Sequence, residues 1–264
     1  MSAEYDSLAR LFAAIASDAG AVVMDVYRSD FTARTKADHS PVSDADERAE
    51  DVILKRLAMD MPGVPVIAEE MSSREGLTSS APETFILVDP VDGTREFIQK
   101  TGDFTVNIAL VANGVPRAGC VFAPARGQMH FAGETSFAIS GFQAGETLRE
   151  PARIRTRPYP PEGMTAVVSA SHLDPQTEAF LRRLPVTART GVGSSLKFCL
   201  LALGQADVYP RFGRTMEWDT AAGQAVLAAA GGTVTTPEGQ PFRYAKADGG
   251  FQNGPFIAWG GQPL

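Results

Sequence analysis

Several acidic residues stand where a predicted strand ends or a predicted helix begins. Glu69 and Glu70 follow the short apolar run VPVIA, and Asp89 and Asp92 lie at the end of the apolar run TFILV. Asp219 stands at the start of the last long helical segment. Carboxylates from different elements can converge on one hard cation, and Mg²⁺ prefers such oxygen ligands. Two ions roughly 3.5–4 Å apart would hold the attacking and leaving oxygens of a phosphoryl transfer, so this pattern indicates metal-assisted phosphate chemistry.

The hexapeptide DPVDGT, which begins at Asp89, places metal-ligand and phosphate-binding features side by side. Pro90 restricts the backbone, which directs the Val91 carbonyl towards the same ion as Asp89. Gly93 and Thr94 begin a predicted helix, so their backbone N–H groups point outward at its N-terminus and can bind an anion. The hexapeptide therefore favours hydrolysis of a phosphate ester beside a metal ion.

Each of these motifs also has a purely structural interpretation when it is taken alone. Asp, Pro and Gly all favour turns, so an isolated DPxDG is typical of a turn. The pair Glu69 and Glu70 could be a solvated strand end. Asp219 could be an acid that is stabilised by the dipole of its own helix. The spacing of the acids leaves both kinds of interpretation open.

Hydrophobic periodicity predicts the elements that position these residues. A first helix is indicated by apolar residues that recur at spacings of three and four, namely Leu8, Leu11, Phe12, Ile15, Ala19, Val22, Val23 and Val26. Ser43 can cap a second helix, which runs to about Met59 and carries Asp46 in its first turn. The segments VPVIAEE, TFILVD and FTVNIALVANGVPRAGCVFA predict strands, with a hairpin turn at Asn113 and Gly114.

The second half of the chain alternates predicted strands with predicted helices. The helical segments are DPQTEAFLRRL, SSLKFCLLALG and WDTAAGQAVLAAAGG, and each has a short apolar strand before it. The Pro-rich passage EPARIRTRPYPPEG interrupts all periodicity and marks a boundary. We therefore predict an N-terminal α+β half at 1–150, which carries DPVDGT, and a C-terminal α/β half at 151–264. Sheets that are covered by helices define a layered fold.

The composition limits the class of protein. The chain has 264 residues, 24 Lys and Arg against 31 Asp and Glu, a formal net charge of −7 and 44% hydrophobic residues. This apolar fraction excludes a disordered chain, and a sequence pI near 5.1 argues against duplex nucleic acid as a partner. Two cysteines far apart, no basic leader and no apolar run of membrane-spanning length predict a reduced, cytoplasmic protein without a transmembrane segment. A peripheral position at the inner membrane is the alternative.

Two separated motifs resemble those of a known family. DPVDGT resembles the DPxDGT motif of the inositol monophosphatase superfamily of lithium-sensitive, Mg²⁺-dependent phosphatases. WDTAAG, from Trp218, resembles the second motif of that superfamily, and Glu69 and Glu70 stand at the matching place upstream. The segments DPVDGTREFIQKTGDFTVNIAL, GSSLKFCLLALGQADVYPRFG and EWDTAAGQAVL are similar to its CysQ-type 3′(2′),5′-bisphosphate nucleotidase branch. The resemblance covers nearly the whole chain and implies an α+β fold, a layered αβαβα sandwich.

The resemblance also implies roles for individual residues. The implied cofactor is Mg²⁺, as two or three ions, and the implied ligands are Glu69, Asp89, the Val91 carbonyl, Asp92 and Asp219. Asp46 and Thr94 resemble the pair that orients and deprotonates the attacking water, because a carboxylate can polarise a hydroxyl. Glu70 is implied as a further support for that water. The backbone N–H groups of Gly93 and Thr94 are implied to hold the phosphate.

Further residues are candidates for binding the rest of the substrate. They are polar or basic and lie in segments that resemble the nucleotidase branch or a lysine of the family, namely Lys36, Ser171, His172, Ser195, Lys197 and Arg211. Lys197 and Arg211 suit phosphate, as a point charge and as a planar fork respectively. The structural alternatives are that Lys197 is a solvated helix residue and that Arg211 pairs with a structural acid.

The resemblance implies removal of the 3′-phosphate from adenosine 3′,5′-bisphosphate, or from its sulfated form, by direct attack of water. The expected partner is this small phosphate ester, the expected state is a monomer or homodimer, and Li⁺ is expected to inhibit. One alternative is an inositol monophosphatase or a broad sugar phosphatase. Another is a metal-binding regulatory homologue without turnover, but Asp46 and Thr94 argue against it because a binding protein needs no water-activating pair.

Overall fold

The computed structural model describes residues 2–31, 34–35, 41–42, 44–168 and 174–264. This part of the chain contains the α-helices α1 (Ser2–Arg28), α2 (Asp44–Asp60), α3 (Glu69–Glu75), α4 (Thr94–Ile98), α5 (Pro175–Leu181), α6 (Leu196–Ala202) and α7 (Glu217–Ala229). The strands of its first half are β1 (Arg34–Thr35), β2 (Pro41–Val42), β3 (Val66–Ala68), β4 (Thr84–Asp92), β5 (Thr105–Ala112), β6 (Val115–Ala123), β7 (Gln128–Ala132), β8 (Ser136–Ser140) and β9 (Ala152–Arg153). Those of its second half are β10 (Met164–Val168), β11 (Val186–Gly191), β12 (Val208–Arg211), β13 (Thr215–Met216), β14 (Thr233–Thr235), β15 (Gln252–Asn253) and β16 (Phe256–Trp259).

Two large sheets organise the chain. The first has seven strands in the order β3-β4-β5-β6-β7-β8-β9, of which β3 and β4 are parallel and the other neighbours antiparallel. The second has five strands in the order β11-β10-β12-β16-β14. In the second sheet β10 runs parallel to β11 and β12, while β16 runs antiparallel to β12 and β14.

The helices and sheets form five layers. One hydrophobic core joins α1 and α2 to one face of the seven-stranded sheet, and a second core joins its other face to α6, α7 and the five-stranded sheet. A third, smaller core joins α5 and the neighbouring loop to the far side of the five-stranded sheet through residues such as Leu181, Val208 and Trp259. This order, helix, sheet, helix, sheet, helix, confirms the predicted αβαβα sandwich.

The first helix shows how closely burial follows the sequence pattern. Phe12, Ile15 and Ala19 of α1 have no exposed surface and pack against the seven-stranded sheet. By length and composition alone, Glu4–Arg28 could cross a membrane. Its apolar face is instead part of the first core, as in a buried helix of a globular domain.

Three further features agree with the sequence prediction: the hairpin turn, the unpaired cysteines, and the alternation of strands with helices in the second half of the chain. Asn113 and Gly114 have φ values of 52° and 68°, which fits a two-residue hairpin turn between β5 and β6. Cys120 and Cys199 are unpaired and buried, as expected for small apolar residues. In the second half, β10, β11 and β12 each precede one of the helices α5, α6 and α7.

Two boundaries near the acidic motifs differ from the sequence prediction. The strand predicted over VPVIAEE ends at Ala68, and Glu69 and Glu70 are the first residues of α3 rather than the end of a strand. The Glu70 N–H at this helix start donates a bond of 2.7 Å to the buried Glu50 carboxylate, and the helix dipole adds to the stability of acids in the first turn. The strand predicted to break at DPVDG instead continues to Asp92, with an irregularity in the pairing between Asp89 and Asp92.

Small residues let α7 approach the seven-stranded sheet closely. A Cβ atom on Gly119 of β6 would lie 3.0 Å from the carbonyl oxygen of Ala222 and 3.0 Å from the Cβ of Ala225. A Cβ on Gly223 would lie 2.4 Å from the ring of Phe198. The run AAGQA in α7 is therefore required by packing, and this packing fixes the position of the helix that begins near Asp219.

A buried histidine predicts a pH dependence of stability. His130 of β7 is 3% exposed, and its Nδ1 has no hydrogen-bond partner in the described part of the chain. Burial lowers its pKa from 6.5 to about 4. As the pH falls below about 6.5, His130 binds a proton in the unfolded chain but stays neutral in the folded chain. The free energy of unfolding therefore falls by about 1.4 kcal/mol per pH unit until about pH 4.

We therefore expect His130→Leu to have a weaker pH dependence than the native chain. The difference in the free energy of unfolding between pH 7 and pH 5 should shrink by about 2 kcal/mol, measured by urea denaturation at both values. Parallel pH profiles for the two proteins would contradict this assignment.

Candidate active site

Two of the predicted metal ligands are buried carboxylates with one oxygen fixed by the backbone. Asp89 lies near the end of β4 and its Oδ1 accepts a hydrogen bond of 3.1 Å from the Val91 N–H. Asp219 lies in the first turn of α7 and its Oδ2 accepts a bond of 2.8 Å from the Met216 N–H. In the described residues the second oxygen of each carboxylate accepts no hydrogen bond, so one oxygen is oriented and the other is available for a cation.

Asp92 is held in the same way, but by the other half of the chain. Its Oδ2 accepts bonds of 2.8 Å from the Ser194 hydroxyl and 2.7 Å from the Ser195 N–H. No described residue donates a hydrogen bond to its Oδ1. Asp92 therefore also presents one anchored and one available carboxylate oxygen.

The acids repel one another strongly in the metal-free site. Burial, followed by the charges of Glu69, Asp92, Asp219 and Asp46, raises the pKa of Asp89 well above its ordinary value. Burial and the charge of Asp92 do the same to the pKa of Asp219. No three acidic, histidine or cysteine side chains of the described chain are already gathered at ligand distance from one point. The donor set still fits Mg²⁺, because buried, repelling carboxylates with free oxygens are what a hard divalent cation neutralises.

The predicted water-activating pair lies beside these acids. Asp46 is buried in the first turn of α2, and its Oδ1 accepts a hydrogen bond of 3.4 Å from the Thr94 hydroxyl. The same hydroxyl lies 3.2 Å from the Val91 carbonyl oxygen. The structure thus brings Asp46, Thr94 and the Val91 carbonyl together, although they come from α2, α4 and the end of β4.

Glu69 and Glu70 open α3, and a carboxylate that the sequence did not reveal supports them. Glu50 of α2 has no exposed surface, and its Oε2 accepts a bond of 2.7 Å from the Glu70 N–H. Its Oε1 accepts a bond of 3.3 Å from Arg74. Burial raises the pKa of Glu50 to about 7, against the opposing hydrogen bond from Glu70. Glu50 therefore fixes the start of the helix on which Glu69 and Glu70 lie.

Gly93 is required by its surroundings. Its φ of 90° lies in the left-handed region, and a Cβ atom would come within 2.9 Å of the Asp103 carbonyl oxygen. Gly93 and Thr94 begin α4, as predicted, and the Phe97 N–H donates the first helical bond to the Gly93 carbonyl at 2.9 Å.

A cavity of about 240 Å³ opens beside the carboxylates. Its wall includes six of the residues predicted from the sequence, namely Asp92, Gly93, Ser195, Lys197, Arg211 and Asp219. It also includes Arg95, Glu96 and Arg214, which were not predicted to have a function. Metal-ligand candidates and basic side chains therefore line one space between the two halves.

The two predicted basic residues differ in their environment from a solvated surface. Lys197 is 7% exposed, donates a bond of 2.7 Å to the Ser194 carbonyl and lies over the Tyr209 ring. Burial lowers its pKa to about 8. The Nε of Arg211 is buried without a hydrogen-bond partner among the described residues. An Nη of Arg211 donates a bond of 3.4 Å to the Arg214 carbonyl, and neither Lys197 nor Arg211 forms an ion pair with any described acid.

The remaining substrate candidates fall in two groups. Ser195 lines the cavity, but its hydroxyl donates to the Asp219 carbonyl at 2.6 Å and accepts from the Asn107 amide at 3.0 Å. Lys36, Ser171 and His172, as well as Ser43, the predicted cap of α2, lie outside the described residues.

A buried network that the sequence did not predict supports the start of α7. Glu217 has no exposed surface and accepts bonds from the Ala245 N–H at 3.0 Å and from the Lys246 ammonium at 3.1 Å. The amide of Asn253 accepts from Lys246 at 3.1 Å and donates to the Met216 carbonyl at 2.7 Å. An acid two residues before Asp219, in EWD, was the one available sequence signal.

The layered fold and a carboxylate-lined cavity with basic walls define the class of metal-dependent phosphatases. The sequence model of the inositol monophosphatase family matches residues 4–259, and the chain belongs to that family. It is 41% identical to the 3′(2′),5′-bisphosphate nucleotidase CysQ of Escherichia coli strain K12 over 237 residues, which are 87% of this chain and 91% of the relative.

Solved structures give the same result. The crystal structure of CysQ from Bacteroides thetaiotaomicron, described as a bacterial member of the inositol monophosphatase family, has a TM-score of 0.80 and 35% identity, covering 97% of this chain and 98% of that one. An IMPase from Thermotoga maritima has a TM-score of 0.72 and 26% identity, covering 94% and 89% respectively. The family and the fold class predicted from the sequence are therefore confirmed.

Proposed function

We propose that this protein is a Mg²⁺-dependent 3′(2′),5′-bisphosphate nucleotidase that hydrolyses the 3′-phosphate of adenosine 3′,5′-bisphosphate or of its sulfated form. The Escherichia coli relative at 41% identity over most of the chain is named 3′(2′),5′-bisphosphate nucleotidase CysQ, and the solved structure from Bacteroides thetaiotaomicron is also named CysQ. The proposal covers a phosphoric monoester hydrolase whose substrate is a small nucleotide with two phosphate groups.

The observation that carries the proposal is the pairing of two kinds of charge in one cavity. The cavity wall contains the carboxylates of Asp92 and Asp219, together with Lys197 and Arg211, which form no ion pair with any described acid. A substrate with one phosphate would use only the carboxylates that are proposed to hold Mg²⁺. A bisphosphate would also use the two basic side chains, which bind phosphate as a point charge and as a fork.

The proposed ligands form two overlapping sets, one for each Mg²⁺. Glu69, Asp89 and the Val91 carbonyl would hold one Mg²⁺, and Asp89, Asp92 and Asp219 a second, while Glu69 borders a third position. When bound, the ions would neutralise charge on the phosphoryl oxygens and make water easier to deprotonate. We propose two ions as the working set.

The chain itself would orient and deprotonate the nucleophile. Asp46 Oδ1 accepts the hydroxyl proton of Thr94, which leaves a lone pair on Thr94 Oγ1 for a proton of the attacking water. The backbone N–H groups of Gly93 and Thr94 orient the phosphate. Attack in line with the ester would form the new P–O bond as the bond to the 3′-oxygen breaks. The water proton would pass to Thr94 Oγ1 as the Thr94 proton passes to Asp46, and the 3′-oxygen would take up a proton from solvent.

The test compares phosphate release from adenosine 3′,5′-bisphosphate, adenosine 3′-phosphate and inositol 1-phosphate at saturating Mg²⁺. We expect kcat/KM to be highest for the bisphosphate, because only this substrate places a second phosphate on Lys197 and Arg211. Arg211→Gln should lower kcat/KM for the bisphosphate by about 10- to 100-fold, since a charge-assisted hydrogen bond contributes about 1.5–3 kcal/mol, and should leave adenosine 3′-phosphate nearly unaffected.

Arg126→Gln is the matched control, because Arg126 pairs with Asp103 and does not line the cavity. Preference for inositol 1-phosphate would refute the nucleotidase assignment and favour the inositol monophosphatase alternative. No phosphate release from any of the three esters would refute an enzymatic function.

A further inference from the structure

A chain of hydrogen bonds connects two of the metal-ligand candidates beneath the cavity. Ser194 donates to Asp92 Oδ2 at 2.8 Å and also contacts the Thr105 hydroxyl. Thr105 Oγ1 lies 3.0 Å from Asn107 Oδ1, and because Ser194 donates its proton to Asp92, the single Thr105 hydroxyl proton is shared between Ser194 Oγ and this amide oxygen. Asn107 Nδ2 donates to the Ser195 hydroxyl at 3.0 Å. The Ser195 hydroxyl in turn donates to the Asp219 backbone carbonyl at 2.6 Å.

This chain of hydrogen bonds passes between the two halves of the molecule three times, from Asp92 to Ser194, from Ser194 to Thr105 and from Asn107 to Ser195. Thr105 and Asn107 lie on β5 of the seven-stranded sheet, whereas Ser194 and Ser195 precede α6 of the second half. Asp92 belongs to the first half and Asp219 to the second. The separation of the two carboxylates therefore depends on how the halves are joined at this point.

The sheet register places the two β5 residues directly opposite the metal-binding motif. Asp89 pairs with Asn107 and Asp92 pairs with Thr105 across β4 and β5. Thr105 and Asn107 are two positions apart, so they point to the same face of the sheet. They are 0% and 1% exposed, and they interrupt a strand that is otherwise apolar.

The loop on the other side of the network is held under strain. Ser194 has a φ of 56°, which is unfavourable for a residue other than glycine. A Cβ on the preceding Gly193 would lie 2.8 Å from both the Cβ and the carbonyl oxygen of Asp103, so the loop packs tightly against the first half. The hydrogen bonds to Asp92 and Thr105 hold Ser194 in this conformation.

We propose that Thr105 and Asn107 are positioning residues that hold Asp92 and Asp219 at the separation needed to bind Mg²⁺. The proposal rests on the proposed function only for the use of the ion in catalysis. The two side chains are sealed beneath the cavity wall and do not reach substrate. They act through Ser194 on the Asp92 carboxylate and through Ser195 on the first turn of α7. Removing one link should weaken Mg²⁺ binding and leave nucleotide binding intact.

Thr105→Val and Thr105→Ser form the decisive pair of variants. Valine keeps the shape and loses the hydroxyl, whereas serine keeps the hydroxyl and loses the methyl group. Calorimetric titration of metal-free protein with MgCl₂ should give about ten-fold weaker binding for Thr105→Val, as for other residues that orient metal ligands. Thr105→Ser should stay within about two-fold of the native chain. At saturating Mg²⁺, the KM for adenosine 3′,5′-bisphosphate should be unchanged in both variants.

Ser194→Ala provides a second route that does not alter the buried strand. It should weaken Mg²⁺ binding by a similar factor, and the double variant with Thr105→Val should bind no more weakly than the worse single variant, because both remove one network. Thr177→Val is the matched control: Thr177 is a buried threonine that donates to Asp174 far along the chain, in α5. Its Mg²⁺ affinity should equal that of the native chain.

The outcomes separate this proposal from the proposed function. Native Mg²⁺ affinity in Thr105→Val, equal loss in Thr105→Ser, or additive losses in the double variant would each overturn the positioning role. If the native chain releases no phosphate from the bisphosphate, the proposed function fails, but the Mg²⁺ titrations still decide the role of the network.

Discussion

Asp89→Asn is expected to abolish Mg²⁺-dependent phosphate release and, at the same time, to raise the melting temperature of the metal-free protein. Asp89 is buried, and the charges of Glu69, Asp92, Asp219 and Asp46 all disfavour its ionised form. Without metal this repulsion destabilises the folded chain. An asparagine removes one charge, and its side-chain oxygen can still accept the hydrogen bond that the Val91 N–H donates at 3.1 Å.

The two effects have opposite signs because the same carboxylate has two roles. Asp89 is proposed to touch both ions, so its loss should lower kcat by about 10³-fold or more, which corresponds to about 4 kcal/mol of transition-state stabilisation. Relief of repulsion by about 1–2 kcal/mol would raise the melting temperature without metal by roughly 2–8 °C in a chain of this size. Added Mg²⁺ should then no longer stabilise the variant.

The measurements are calorimetric melting with EDTA or with MgCl₂, and phosphate release at saturating Mg²⁺. Asp174→Asn is the control, because Asp174 is an acid that does not line the cavity and whose hydrogen bonds from Thr177 help lower its pKa. It should retain turnover and should not gain stability without metal. A variant at Asp89 that melts below the native metal-free chain would show that the site is not a cluster of repelling charges.

The acidic motifs could be predicted because their geometry is local. Asp89 and Asp92 lie on one strand end, and Asp219 lies in the first turn of its helix, so short sequence windows contain the information that orients them. The pairing of Asp46 with Thr94 spans 48 positions, and only the resemblance to a family suggested it. The structure joins Asp46 and Thr94 by a hydrogen bond, and the catalytic roles of these residues remain predictions.

The supporting residues could not be predicted from short windows. Asn107 meets Ser195 across 88 positions, and Lys246 meets Glu217 across 29. Polar residues on a buried strand carry a signal, but the sequence does not say which partner satisfies them. The same limit explains Ser195, which was a substrate candidate from its motif and has its hydroxyl engaged by Asn107 and Asp219 in the structure.

The start of α3 shows a different limit. The run VPVIA followed by two acids favours a strand that ends in solvent, yet the strand stops at Ala68 and Glu69 begins a helix. The decisive partner is Glu50, which is buried 20 positions away and accepts the Glu70 N–H. A helix N-terminus that is completed by a distant carboxylate cannot be recognised from local propensity.

Arg157→Met is expected to destabilise the chain strongly without reducing turnover of the folded protein at low temperature. Arg157 lies in the Pro-rich passage between the two sheets and forms two bonds to Asp207, from Nε at 2.9 Å and from an Nη at 2.8 Å. The Asp207 side chain is 1% exposed, and it also accepts a bond of 2.7 Å from the Thr165 N–H. Removing the guanidinium would leave a buried charge with one donor.

The size of this effect follows from the unequal burial of the two partners. Breaking a buried ion pair on one side costs about 3–5 kcal/mol, and the low end applies because the Arg157 side chain is 37% exposed, so water can partly replace it. About 3 kcal/mol corresponds to roughly 6–12 °C in melting temperature for a chain of this length. Urea denaturation and thermal melting measure the loss, and Asp207→Asn in the Arg157→Met background should recover most of it.

Arg189→Met tests whether the effect of Arg157→Met comes from the burial of the carboxylate partner or from the geometry of the two hydrogen bonds. Arg189 also forms two bonds to one carboxylate, that of Glu178, at 2.6 and 3.1 Å, but the side chains of both residues in this pair are exposed, by 40% and 27% respectively. An exposed pair contributes at most about 1 kcal/mol, so this variant should melt within a few degrees of the native chain. Equal losses for the two arginines would show that bond geometry, and not the burial of Asp207, holds the passage between the sheets in place. A large loss for Arg157→Met alone, with turnover retained, would place the stabilising pair at the junction of the sheets and outside the catalytic cavity.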